Sequence, residues 1–144
     1  MNETQPFKLI QLNPIKTEGK PGKLTEVNIK KICKEYNLEF NLYKCFYVNE
    51  LNSTESRGNH SNKNVSEILI CLQGSFEIML HDGKNKTIIT LKQNEAIYIE
   101  KNVWISYYNF NNCVIMAMIS INLCSVKESC YDFNEFMEQS NFRF

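Results

Sequence analysis

Histidine is scarce in this chain, with only His60 and His81 among 144 residues. Acid–base work near neutral pH therefore has two imidazoles to choose from. Charge of one sign is also missing: 16 basic and 16 acidic residues give a formal net charge of zero. No basic face is implied, which argues against nucleic acid or an anionic membrane surface as a partner, while a small anionic ligand stays compatible. The first 25 residues lack the charged start, apolar stretch and small-residue cleavage site of a signal peptide. The longest apolar run, Cys113 to Ile119, is far too short to span a bilayer, so a cytoplasmic location is expected. No Cys-x-x-Cys spacing occurs among Cys33, Cys45, Cys71, Cys113, Cys124 and Cys130. Cys45, Cys71 and Cys113 lie in apolar strand-like runs, where a free thiol behaves as a small hydrophobe, so they are expected in the core and none as a nucleophile.

What is present is enough for a core. Apolar residues make up 43% and aromatic residues 12% of the chain, and residues 1–144 are expected to form one domain. The pattern is one of short β-forming runs. Phe7 to Leu12, Leu24 to Ile29 and Phe40 to Val48 read as strands, with Lys30 to Tyr36 open between a helical turn and a loop. Asn49 to Asn64 is polar, without apolar periodicity, and reads as a long loop of the kind that often carries function. Four strands then follow closely: Val65 to Leu72, a turn at Gly74-Ser75, Phe76 to Leu80, Thr87 to Leu91 and Ala96 to Glu100. Asp82-Gly83 predicts a hairpin between the second and third of these. Trp104 to Phe110, ended by Asn111-Asn112, and the apolar Cys113 to Ile121 complete the strands, and the tail near Cys130 to Met137 has a helical look. Many short strands separated by turn residues predict an all-β sandwich or barrel.

His81 sits in the hairpin turn and reads as an exposed turn residue. His60 stands in the polar stretch just ahead of the apolar run at 68–72, where a side chain can point into the mouth of a barrel. Small barrels of the cupin type carry a Gly, His-x-His, Glu, Gly motif at this point, and here the frame reads His60-Ser-Asn62, Glu67 and Gly74. The second histidine is Asn62, and Ile105 stands where the later cupin histidine falls. A transition metal wants three or four N, O or S ligands, so His60 and Glu67 are too few and no metal is expected.

The blocks Arg57-Gly-x-His60, Glu67 through Ser75, Val103-Trp104, Tyr108-Asn-Phe110, Cys113-Val and Tyr131 through Phe136 together resemble the sugar-nucleotide 3,4-ketoisomerases, also called WxcM-like proteins. The likeness covers residues 7 to 137, with the blocks in the right order. It implies a cupin, RmlC-like jelly-roll barrel with a short C-terminal helix, a homodimer, and no cofactor. It also implies a reaction that moves the ketone of a dTDP-4-keto-6-deoxyhexose from C4 to C3 through an enediol, in the making of deoxy-amino sugars for surface polysaccharide. On that likeness His60 is the acid–base residue, with Asn62 and Tyr47 beside the enediol. Arg57, Lys63, Trp104, Ser106 and Tyr108 are then candidate substrate contacts. On strand 104–110, alternation sets Trp104, Ser106 and Tyr108 on one face and Ile105 and Tyr107 on the other, and the Trp104 face is expected to line the pocket.

The chain departs from the family where it matters. The family motif runs Arg-Gly-x-His-Ala-His-Lys, and an amide at Asn62 can hydrogen-bond an oxygen but cannot carry a proton. The alternative reading is a cupin that binds a sugar nucleotide, or partners an active relative, without turnover.

Overall fold

The computed structural model describes residues 5–120 and 128–141. Eight strands and two helices follow in the order β1 (Phe7–Gln11), α1 (Ile29–Tyr36), β2 (Leu42–Val48), β3 (Ser56–Asn62), β4 (Glu67–His81), β5 (Lys86–Lys92), β6 (Glu95–Ile99), β7 (Trp104–Ser120), β8 (Ser129–Cys130) and α2 (Phe133–Asn141). All pairing among the named strands is antiparallel, in the order β1-β6-β4-β7-β3-β8, with β2 added to β7 and β5 to β4.

Two long strands carry the architecture. The first half of β4 pairs with β6 and its second half with β5, while β7 runs beside it throughout. Gly74 and the pair Asn111-Asn112 were expected to end strands, and instead they bend them. The register between β4 and β7 shifts around Gln73 and Ser75. Gly74 (φ +70) and Asn112 (φ +45) take left-handed backbone there. A Cβ on Gly74 would overlap the carbonyl oxygens of Asn111 and Asn112, so the two strands can cross this closely only with glycine.

Side-chain alternation along β4 explains its unbroken apolar start. Leu69 and Cys71 join Ile78, Leu80, Ile97, Ile105 and Ile115 in the inner core, whereas Ile68 and Ile70 join Ile10, Ile32, Phe40 and Tyr98 on the outer face under α1. Both faces of the strand are covered, which removes the polar half of the usual pattern. α1 forms because Asn28 caps it, accepting from the Lys31 amide at 3.0 Å, and Asn37 ends it in left-handed conformation. Ile32 is its buried anchor, and cutting it to alanine costs about 2–5 kcal/mol. A third cluster sets Trp104, Cys130 and Phe136 together beneath α2.

Four expectations are corrected. Residues 24–28 form no strand beyond a single Ile15–Leu24 bridge; Leu24 is exposed and the backbone turns helical at Ile29. The polar stretch 49–64 contains β3, held by backbone pairing with β7 rather than by apolar burial. Cys45 lies exposed on edge strand β2, while Cys71 and Cys113 are buried. Burial pushes the Cys71 thiol up to about 11 and the Cys113 thiol up to about 12, so neither supplies thiolate. His81 is half-buried rather than exposed in its turn. The hairpin at Asp82-Gly83 joins β4 to β5 as expected, Asp82 Oδ1 accepting from the Lys84 and Asn85 amides. Ile121 and Cys124 lie outside the described residues. Among the described residues no helix is long and apolar enough to cross a membrane.

Candidate active site

β3 reaches the inner end of the sheet through a bulge that depends on its sequence. Gly58 pairs with Ser106 and His60 with Ile105, so β3 spends one residue more than β7 over this interval. Gly58 (φ +82) and Asn59 (φ +53) absorb the difference. A Cβ on Gly58 would stand 2.8 Å from Tyr107 Cε1 and 3.0 Å from the Ile105 carbonyl oxygen. Glycine therefore lets β3 lie against the Tyr107 ring, and the bulge re-aims the side chain that follows it. Asn59 is fixed from outside: Ser106 Oγ donates to its Oδ1 at 2.8 Å, and Trp104 Nε1 donates to Ser106 Oγ at 3.2 Å.

The side chain so aimed is His60. It lines a cavity of about 400 Å³ with Phe46 of β2, Arg57, Gly58, Glu67 of β4, Tyr107 of β7 and Tyr131. His60 Nε2 is buried and makes no hydrogen bond. A buried polar atom left without a partner is costly, so such an atom in the wall of a cavity calls for a functional explanation. Tyr131 flanks the imidazole, ring centroids 5.8 Å apart.

Glu67 is the second titratable group in the wall, 5% exposed. It shares the inner face with Leu69 and Cys71, two and four residues on. Asn62, 2% exposed, donates from Nδ2 to Glu67 Oε2 at 3.0 Å and accepts from Ser129 Oγ at 3.3 Å. Burial raises the Tyr107 phenol above its ordinary value, the Glu67 carboxylate adds to the rise, and the Arg57 guanidinium hydrogen-bonded to the phenol opposes it. Among the described residues no three of His, Cys, Asp and Glu come together to hold a metal ion.

The family described as FdtA, WxcM-like, C-terminal matches residues 5–141. The chain belongs to that family. A TDP-4-oxo-6-deoxy-α-D-glucose 3,4-oxoisomerase from Aneurinibacillus thermoaerophilus is 31% identical over 86 residues, which is 58% of this chain and 62% of that relative's length. A sugar 3,4-ketoisomerase from Thermoanaerobacterium thermosaccharolyticum, solved in complex with TDP, superposes with a TM-score of 0.80 at 25% identity over 96% of this chain and 97% of that one. A TDP-fucose 3,4-ketoisomerase from Campylobacter jejuni gives 0.78 at 28% identity over 96% and 98%. The all-β cupin-type fold with a C-terminal helix is thus the architecture that this WxcM-like chain shares with them.

The WxcM-like frame brings His60 and Arg57 to the cavity and leaves other expected residues outside it. Tyr47 is 68% exposed, on the face of β2 opposite Phe46. Phe46 pairs with inner-core Ala117 and takes the cavity position, because neighbouring strand residues face opposite ways. The Trp104 face is likewise not the lining one. Trp104 packs in the α2 cluster against Phe133 and Phe136, its ring centroid 5.2 Å and 5.8 Å from theirs, and Tyr107 from the other face lines the cavity. Ser106 donates to the wall residue Asn59 and Tyr108 pairs with Ser56 and Glu77, and neither Ser106 nor Tyr108 is in the lining. Lys63 follows β3, its amide donating to the Glu128 carbonyl at 2.9 Å. Asn62 lies behind Glu67 rather than in the lining. Sequence reasoning missed Phe46, Tyr107 and Tyr131 as lining residues and gave Glu67 no role. Glu67 had a signal, as a lone carboxylate heading an apolar run, whereas Tyr131 arrives only through the pairing of β8 with β3.

Proposed function

We propose that the chain is a sugar-nucleotide 3,4-ketoisomerase acting on a TDP-linked 4-keto-6-deoxyhexose. The observation that carries this reading is His60: an imidazole in the wall of a cavity, its Nε2 buried and without a hydrogen-bond partner, in a WxcM-like fold. His60 takes the proton from C3 to give an enediol and returns one to C4, since one imidazole can act first as base and then as acid. Arg57, at the same cavity, is the cation for the diphosphate, supported by its guanidinium chemistry. The nucleotide is taken as TDP because related ketoisomerases bind or act on TDP-sugars. The reaction is proposed to need no metal, since His60 and Glu67 supply two donors where a tight site wants three or four. Incubation with TDP-4-keto-6-deoxyglucose after dialysis against EDTA tests both points. Formation of the 3-keto product supports the reading, and an unchanged substrate with enzyme at micromolar concentration sinks it.

Binding without turnover is the second reading, motivated by Asn62, whose amide is engaged with Glu67 and Ser129. TDP titration that shows binding, beside an absent reaction, would select it.

A homodimer completes the proposal. β2 pairs only with β7 among the described residues and exposes Leu42, Tyr43, Phe46 and Tyr47 along one edge. An open apolar edge strand is a ready template for another chain. Phe46 belongs to both the edge and the cavity wall, so a second copy on β2 would close the site. Light scattering after gel filtration should give twice the chain mass, and Tyr43→Glu should return it to one.

A further inference from the structure

We propose that Glu67 is a second catalytic residue of this site, carrying the hydroxyl proton between O3 and O4 while His60 carries the carbon proton, and that Asn62 is its positioning residue. The inference rests on the ketoisomerase reading above.

Moving a ketone from C4 to C3 transfers two protons, one from carbon to carbon and one from oxygen to oxygen. His60 accounts for the first. In the forward half-reaction His60 takes the proton on C3, the electron pair forms the C3–C4 double bond, and the Glu67 carboxyl gives its proton to O4. In the second half the Glu67 carboxylate takes the proton on O3, the pair re-forms a carbonyl at C3, and the imidazolium gives its proton to C4. Both side chains end as they began, and no other reactant is needed.

Three features place Glu67 in this role. It lines the cavity with His60, from the start of β4. It is 5% exposed, a carboxyl held among the polar and aromatic side chains of the cavity wall, Arg57, His60, Tyr107 and Tyr131. It is also aimed. Asn62 donates to Oε2 at 3.0 Å and is itself held by Ser129, so a side chain that cannot titrate orients the carboxyl. The place where the family motif carries a second histidine thus holds an amide that orients a carboxyl, and the proton capacity lies on β4. Arg57, Tyr107 and Tyr131 are the other titratable groups at this cavity, and Phe46 from β2 contributes none.

The test compares steady-state rates against pH for the unaltered chain and for Glu67→Gln, Glu67→Asp, Asn62→Ala and Tyr107→Phe, with TDP-4-keto-6-deoxyglucose as substrate. TDP titration serves as the check on folding. Glu67→Gln should lower kcat about 10²–10³-fold, with KM within threefold, as expected for loss of a general acid. It should also lose the alkaline limb of the kcat profile, where that acid would ionise. Glu67→Asp should keep the limb at roughly tenfold lower kcat, and Asn62→Ala should move the limb without removing it, consistent with the 10–100-fold typical of orienting partners. A Glu67→Gln chain with kcat within threefold of the original overturns the inference alone. So does one that no longer binds TDP, which makes Glu67 structural, or a loss confined to Tyr107→Phe, which gives the proton to the phenol. An unaltered chain that makes no 3-keto product removes the ketoisomerase reading and this inference with it.

Discussion

His60 and His81 are both half-buried and both lie beside an aromatic ring, yet their surroundings differ in one respect that matters for chemistry. His81 Nδ1 accepts from the Gly83 amide at 2.9 Å, and its ring meets Phe133 and Phe136 edge-on, at centroid separations of 5.6 and 6.3 Å. That imidazole is part of the corner that seats α2. His60 has an aromatic neighbour too, but its Nε2 is buried without a partner, and the residue lines a cavity with a carboxyl in its wall. Burial alone does not separate a packing histidine from a working one. The hydrogen-bond accounting does.

The same contrast runs through β7. At its start Trp104 faces outward to α2 and Tyr107 faces inward to the cavity, so one strand serves both corners with alternate side chains. Substitutions at the two corners should therefore split into losses of turnover and losses of stability. His60→Ala should give the largest effect, a fall in kcat of about 10²–10⁴-fold, equal to about 3–5 kcal/mol, with the melting temperature little changed. Trp104→Ala should do the reverse, costing about 3–5 kcal/mol of folding stability in urea titration while TDP affinity of the folded fraction holds. Gly58→Ala joins the two corners, because the added Cβ meets Tyr107 and the backbone is left-handed. It should cost about 1–3 kcal/mol of stability and also lower turnover, since the bulge aims His60. The smallest effect belongs to His81→Gln, about 1 kcal/mol of stability with kcat and its pH profile unaltered. A pH profile that moved with His81 would break the comparison.

How far the sequence carried the account depended on what held each element. β5 and β6 were legible because alternation and turn residues agree, as at Asp82-Gly83 and at Asn94 (φ +70) between them. β3 was not, since Ser56 to Asn62 is polar on both faces: one turns to a cavity, and backbone pairing with β7 supplies the hold. Asn111-Asn112 misled for a related reason. Asparagine tolerates left-handed backbone, and β7 uses that at Asn109 and Asn112 to bend and continue. α1 stayed ambiguous because eight residues give only two turns of periodicity, and its Asn28 cap decides it. In the site, the Arg57-Gly-x-His60 block was readable as a unit, and the reason for its glycine became visible only with Tyr107 against it. The places expected of Tyr47 and Trp104 fell to Phe46 and Tyr107, because a one-residue change of face is enough to move a side chain from one side of a sheet to the other.

The central claim, that His60 moves a proton on substrate carbon, is tested most directly by running the reaction in deuterated water and reading the sugar by NMR. The account predicts a 3-keto product from the unaltered chain, any deuterium at C4 reporting exchange of the imidazolium with solvent before it gives its proton up, and neither 3-keto product nor carbon-bound deuterium with His60→Ala despite retained TDP binding. Undiminished incorporation by His60→Ala would contradict it.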